Sequence, residues 1–128
     1  MTGRDVALAA HALIGTRFQL HGRDPASGLD CVGLVAAALG APAPVGYRLR
    51  NSDIAAGLSF APGAGLAEVS GTIEPGDVLL VRSGPAQHHL LVAGPHGGFI
   101  HAHAGLRRVV ATPGPLSWPV ERHWRLKD

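Results

Sequence analysis

The residues of this 128-residue chain best suited to chemistry are its single cysteine and a cluster of histidines. Cys31 lies in the run Leu29-Asp30-Cys31-Val32-Gly33-Leu34-Val35. Five of the eight histidines, at 88, 89, 96, 101 and 103, fall within sixteen positions. A thiolate attacks carbonyl carbons, and an imidazole that titrates near neutrality can take the thiol proton and return it to a leaving group. A third polar group then holds that imidazole in place. Cys31 early in the chain, His88 or His89 at the start of a strand, and His101 on the next strand would supply all three parts. Two histidines twelve residues apart with a glycine turn between them suit paired strands and a direct hydrogen bond. Cysteine first and histidine later, on separate elements, is the general order of cysteine hydrolases.

Two other uses of these residues compete. Free cysteine is among the most buried residue types, so Cys31 could be a packing residue. His101-Ala102-His103 and His88-His89 could be metal ligands, because His-X-His on a strand puts both rings on one face. There is no second cysteine and no His-Glu-X-X-His, so a metal site is disfavoured and no cofactor is expected. His96 and His123 are read as satisfied or exposed polar residues. His103 shares a face with His101, either near the site or exposed.

These residues need elements to position them. Apolar residues at 31, 34, 35, 38 and 39 make one face of a short helix. Asp30 is its N-cap, and Gly40 stands where a C′ glycine ends it. Cys31 then sits in the first turn, among unpaired N–H groups at the positive end of the helix dipole, where a lowered thiol pKa is expected. Thr2 and Asp5 resemble a capping box for an earlier helix over 3–14, with Val6, Ala9, Ala10, Leu13 and Ile14 on one face. The stretch 15–29 reads as a loop leading to Cys31, with Phe18 either a cleft wall or a core anchor. Pro42 and Pro44 stop helical structure. A short helix from Asn51-Ser52-Asp53 through Leu58 and a short strand over 66–69 are the readable features of 45–72, and Tyr47 has no assignable role.

From Glu74 the texture changes. Glu74-Pro75-Gly76-Asp77 is turn chemistry, and strands follow over 78–82, 89–93, 99–103, 106–111 and 120–126. Short links imply an antiparallel meander, with the proline-rich stretch 112–119 a stiff connector. Helices first and strands after make an α+β fold: N-terminal helices, one carrying the cysteine at its N-terminus, packed on a C-terminal antiparallel sheet of about five strands, in a single domain over 1–128.

Composition removes several function classes. Hydrophobic residues at 46% and charged residues at 16% describe a globular chain. A net charge of +2 with scattered arginines forms no phosphate-tracking stripe, so no nucleic-acid partner is expected. One cysteine excludes an internal disulfide framework, and no apolar run is long enough to span a bilayer. The N-terminus lacks a signal-peptide pattern, so the chain is expected to be made in the cytoplasm without an export address of its own.

Four blocks in order carry a family resemblance. Leu29-Asp30-Cys31-Val32-Gly33-Leu34-Val35, Pro75-Gly76-Asp77-Val78-Leu79-Leu80, His89-Leu90-Leu91-Val92 and Phe99-Ile100-His101-Ala102 resemble the NlpC-type papain-like peptidases of bacterial cell walls. Ile14-Gly15-Thr16-Arg17-Phe18 resembles the lead-in to that family's cysteine loop, and the strand over 120–126 its ending. The compact cell-wall peptidases of phage tails and gene transfer agents, which also lack a serine after the cysteine, are the nearer likeness. The resemblance implies a papain-like fold, with Cys31 the nucleophile, His89 the general base and His101 the residue orienting it. His88 would take the base's place after a one-residue slip. Asp30 resembles the acid that holds the free amine of a stem peptide. The implied substrate is a peptidoglycan stem peptide, cut between γ-D-glutamate and a diamino acid through a thioester, with the Cys31 N–H helping to hold the oxyanion. Phe18 stands where the family has Tyr, Val32 where it has Ser, and Leu91 and Ala93 where a Gly and an aromatic are common. Those departures motivate two alternatives: an inert structural or binding module of a phage-tail-like assembly, and a cytosolic amidase acting on another small amide. Delivery to the wall on a phage-like particle is the route the resemblance suggests.

Overall fold

The computed structural model describes residues 1–42, 61–85 and 87–127. The expected helix over 51–58 and Tyr47 lie outside the described residues. The first helix, α1 (Gly3–Ala12), starts from the anticipated box: Thr2 Oγ1 accepts from Asp5 N at 3.2 Å and Asp5 Oδ2 accepts from Thr2 N at 2.7 Å. It buries Val6, Ala7 and Ala10, small enough to let α2 (Cys31–Leu39) pack closely against it. Between the helices, residues read as pure loop include a two-residue ladder, β1 (Arg23–Asp24) with β2 (Gly28–Leu29). Asp30 caps α2, and Gly40 ends it in the left-handed conformation at φ 66°.

The remaining strands are β3 (Leu66–Glu68), β4 (Val78–Gly84), β5 (Gln87–Ala93), β6 (Phe99–His103), β7 (Arg108–Thr112) and β8 (Val120–Leu126). All six join one antiparallel sheet in the order β3-β8-β4-β5-β6-β7. The sheet therefore has six strands rather than five, because the short segment beginning at Leu66 pairs with Leu126 at the edge. The meander holds from β4 to β7 and then breaks. β8 returns across the sheet to lie between β3 and β4, instead of pairing with β7.

That return creates a second layer. α1 and α2 cover one face, where Cys31, Leu34, Val35, Leu80, Leu90, Val92, Ile100 and Trp124 form the main core. On the other face Leu79, Val81, Leu91, Ala93 and Phe99 are buried, and Leu116 and Trp118 of the returning connector pack on them. β4 and β5 are thus apolar on both faces, which is why they read as continuous hydrophobic runs rather than alternating ones. β7 starts two residues later than expected because Arg107, at φ 61°, completes the preceding turn.

Asp77 ties the start of the sheet to its return strand. It is fully buried and accepts from Arg125 Nε at 2.8 Å, Arg125 Nη2 at 2.9 Å, His123 Nε2 at 2.6 Å and Glu74 N at 2.9 Å. His123 is accordingly a satisfied polar residue inside this network.

Candidate active site

Cys31 occupies the first turn of α2 because Asp30 terminates the helix there. One Asp30 oxygen accepts from Gly33 N at 2.8 Å, and the other accepts from His21 N at 2.8 Å, which fastens the preceding loop to the helix start. Asp30 is fully buried, with Arg23 Nη1 at 4.0 Å from one oxygen. The carboxylate read as an amine-holding group is engaged from inside the fold. Gly33 completes the junction. A Cβ there would be driven into the carbonyl oxygen of Gly22, well inside van der Waals contact. Gly33→Ala is expected to lower stability by about 2 kcal/mol, the range for overpacking a tight contact, as measured by urea denaturation. An unchanged midpoint would show that the loop yields freely.

The thiol differs from the expectation. Cys31 is fully buried, and burial, reinforced by the negative charge of Asp30, pushes it up to about 12. The N–H groups of Leu90, Val32 and Cys31 itself pull in the opposite direction, as a helix N-terminus should, but they lose to desolvation. The resting sulfur is therefore a neutral thiol. The Leu90 N–H is the contact that seats it against β5, next to His89. Among the described residues no imidazole is hydrogen-bonded to the sulfur.

The histidines are brought together. His89 Nε2 and His101 Nδ1 share a hydrogen bond at 2.9 Å, with the rings edge-to-face at 5.0 Å. His101 Nε2 continues the chain to Thr112 Oγ1 at 2.8 Å. Trp118 stands edge-on to both rings, at 6.1 Å and 6.0 Å. Burial, followed by the neighbouring charges of His101 and His103, drives His89 down to about 3; burial and His103 drive His101 down to about 4. His103 lies beside His101 at 5.8 Å, while its Nδ1 accepts from Leu106 N at 3.0 Å. His96 is exposed on its turn, stacked edge-on with His11. His88 points elsewhere: its Nε2 donates to Glu121 Oε1 at 2.7 Å.

A cleft of about 250 Å³ opens at this end of the sheet, lined among others by Phe18, His88, His89, His101 and Trp118. Phe18 is a wall of the cleft and also packs on the main core. Cys31 is fully buried and is not among the residues that line this cleft. Thr112, Trp118 and Glu121 are members of this neighbourhood that the sequence did not single out. They arrive through the β7 register and the β8 return, which leave no local signal. Among the described residues no three His, Cys, Asp or Glu side chains are grouped to hold a metal ion.

The two buried imidazoles set an acid response. Unfolded histidines titrate near 6.5, whereas these stay neutral in the fold until about pH 4 and about pH 3. Between those limits the unfolded chain binds protons that the fold refuses. Their contribution is therefore complete above pH 6.5 and declines as pH falls, through about 4 for His101 and about 3 for His89. The thermal midpoint should drop between pH 7 and pH 5, and His101→Gln should flatten the drop. An identical slope in that variant would contradict it.

Helices carrying a thiol at an N-terminus, laid on one face of an antiparallel sheet that carries the histidines, define the papain-like α+β class. Solved structures sharing this chain's fold are NlpC/p60 proteins. NlpC1 from Trichomonas vaginalis is 22% identical with a TM-score of 0.64, over 95% of this chain and 44% of that one. NlpC2 from the same organism is 21% identical with a TM-score of 0.65, over 96% and 45%. The NlpC/p60 domain of the peptidoglycan hydrolase SagA is 24% identical with a TM-score of 0.63, over 96% and 97%. The chain spans less than half the length of the two Trichomonas proteins. No protein-family model and no curated protein matches it.

Proposed function

We propose that this domain is a cysteine hydrolase that cleaves an amide bond in peptidoglycan stem peptides, with Cys31 the nucleophile and a histidine of β5 the general base. The observation that carries the reading is the seating of the Cys31 thiol on the Leu90 N–H, directly after the histidine pair. The fold shared with a peptidoglycan hydrolase domain supports the substrate class. In the reaction the thiol proton passes to an imidazole nitrogen as sulfur bonds to the carbonyl carbon, and the carbonyl electron pair moves onto oxygen near the N–H groups at the α2 N-terminus. Collapse expels the amine, which takes the proton from the imidazole. Water then gives a proton to the same nitrogen, attacks the thioester and releases the carboxylate, returning the thiol.

The resemblance to the NlpC-type peptidases implies His89 as the base, and its hydrogen-bonded chain through His101 to Thr112 supports that role. With a neutral thiol and neutral imidazoles at rest, proton transfer accompanies attack instead of preceding it. The γ-D-glutamyl–diamino acid bond is the one proposed for cleavage. Digestion of purified muropeptides, read by mass spectrometry, tests the proposal: products at that bond support it, and intact muropeptides overturn it. A second reading, a binding module without turnover, is favoured by one observation, the complete burial of the sulfur. Muropeptide binding without cleavage would establish it.

A further inference from the structure

Arg17 is distant in sequence from the Arg107-Arg108 pair, but the fold brings the three together. Arg17 and Arg108 face each other in an isolated antiparallel bridge between the segment after α1 and the start of β7. Backbone bonds fix that pairing: Gly15 N donates to Val109 O at 2.8 Å, Val109 N to Thr16 O at 2.8 Å and Phe18 N to Arg107 O at 2.9 Å. Side chains directly opposite in an antiparallel pair share a face, with Cβ atoms about 5 Å apart, and like charges there are destabilising. Arg107 adjoins them from the turn before β7. All three, with Gln19, line one cavity of about 760 Å³.

No acid answers these charges. Among the described residues the arginines found in ion pairs are Arg23, Arg82, Arg122 and Arg125, and none of the pairs includes Arg17, Arg107 or Arg108. A guanidinium is always charged and presents a rigid fork of donors that matches a carboxylate. A fold that sets like charges opposite each other without a counter-charge gains stability from an anion bound from outside. Leu20 and Leu106, each more than half exposed, stand in the same cavity wall. They give it an apolar flank that suits an organic anion better than a bare inorganic one.

This cavity adjoins the candidate active cleft, because Phe18 and Ala104 line both. We propose that Arg17, Arg107 and Arg108 form an anion subsite that holds a free carboxylate of the peptide whose scissile amide lies in the neighbouring cleft. The identity of the peptide rests on the hydrolase reading; the subsite rests on the bridge and its unanswered charges. A γ-linked glutamyl residue leaves its α-carboxylate free on the acyl side of the cleaved bond, and a diamino acid can carry a carboxylate on the amine side. Either has the charge and planar shape that the arginines select, and its amide lacks the charge.

Isothermal titration of the full chain carrying Cys31→Ala measures binding without turnover. Three stem peptides serve as probes: one with both carboxylates free, one amidated at the glutamyl α-carboxylate, and one amidated at the diamino acid. The free peptide should bind about tenfold more tightly than one of the two amides, the worth of a charge-assisted hydrogen bond. Which amide loses affinity identifies the carboxylate held. Adding Arg17→Gln and Arg108→Gln should cost the free peptide about tenfold or more and abolish the preference. Arg107→Gln alone should give a smaller loss in the same direction. Removing the repulsion across the bridge should leave the thermal midpoint unchanged or raised; a lowered midpoint would show that the fold itself satisfies these charges and overturns the subsite. Equal binding of the three peptides, absence of binding, or a preference that survives in the double variant overturns it too. Cleavage by the protein with Cys31 intact is read separately. Binding with the expected pattern but no cleavage fails the hydrolase reading and keeps the subsite. Cleavage with a kcat/KM indifferent to amidation and to the arginines keeps the hydrolase reading and overturns the subsite.

Discussion

Cys31→Ala is expected to reduce muropeptide cleavage by on the order of 10³-fold or more, the loss typical when a nucleophile is removed from a hydrolase. The fold should survive. The sulfur is one buried atom in a core that also contains Leu34, Val35, Leu90 and Ile100, and its removal leaves only a small cavity, costing about 1 kcal/mol. Circular dichroism and the thermal midpoint should therefore be close to wild type while turnover vanishes. That separation decides between a chemical and a packing role. A variant that still cleaves would assign Cys31 to packing; one that unfolds would leave Cys31→Ser, which keeps the volume, to make the distinction. Because the resting thiol is held up at about 12, the residual rate in any variant lacking the base should climb steeply with pH.

The second large effect is on stability. Asp77→Ala should destabilise the domain by about 3 kcal/mol, the cost of stranding a buried network after removal of one charged member. For a domain of this size that lowers the melting temperature by on the order of 10 °C. Arg125 and His123 would both lose their carboxylate partner, and β8 would lose its tie to the turn before β4. Burial alone would raise the Asp77 carboxyl, but the Arg125 bonds, the Glu74 N–H and His123 together outweigh it and hold it below the usual carboxylate value. A carboxyl depressed in the fold contributes stability that is present above its unfolded value near 4 and lost as pH falls through its folded value. Wild type should lose this increment below pH 4, and the Ala variant should show no such step. Equal acid sensitivity in the two proteins would contradict the assignment.

What the sequence showed and what it hid divide along local and non-local causes. The start of α2 is written in adjacent residues: Asp30 as cap, Cys31 in the first turn, Gly40 at the end. The Thr2–Asp5 box is equally local. The hydrogen bond between His89 and His101 could be anticipated because a glycine turn and a twelve-residue spacing suffice to place two strands side by side. The thiol's acidity could not. The helix N-terminus that lowers it is visible in sequence, while the burial that overrides it depends on β5 and β6 arriving from 60 or so residues away. The position of β8 was hidden for the same reason. Nothing in Val120-Glu121-Arg122-His123-Trp124 says that it pairs with β4, so the His88–Glu121 contact had no sequence signal.

The most direct test of the hydrolase account is whether a covalent acyl group forms on Cys31 during turnover. Muropeptide digestion quenched in acid, followed by intact-mass measurement and peptide mapping, should reveal the stem-peptide acyl fragment as a thioester on the peptide carrying Cys31. The adduct should be absent from Cys31→Ala. Cleavage that proceeds with no adduct, or that continues in the variant, would contradict the account.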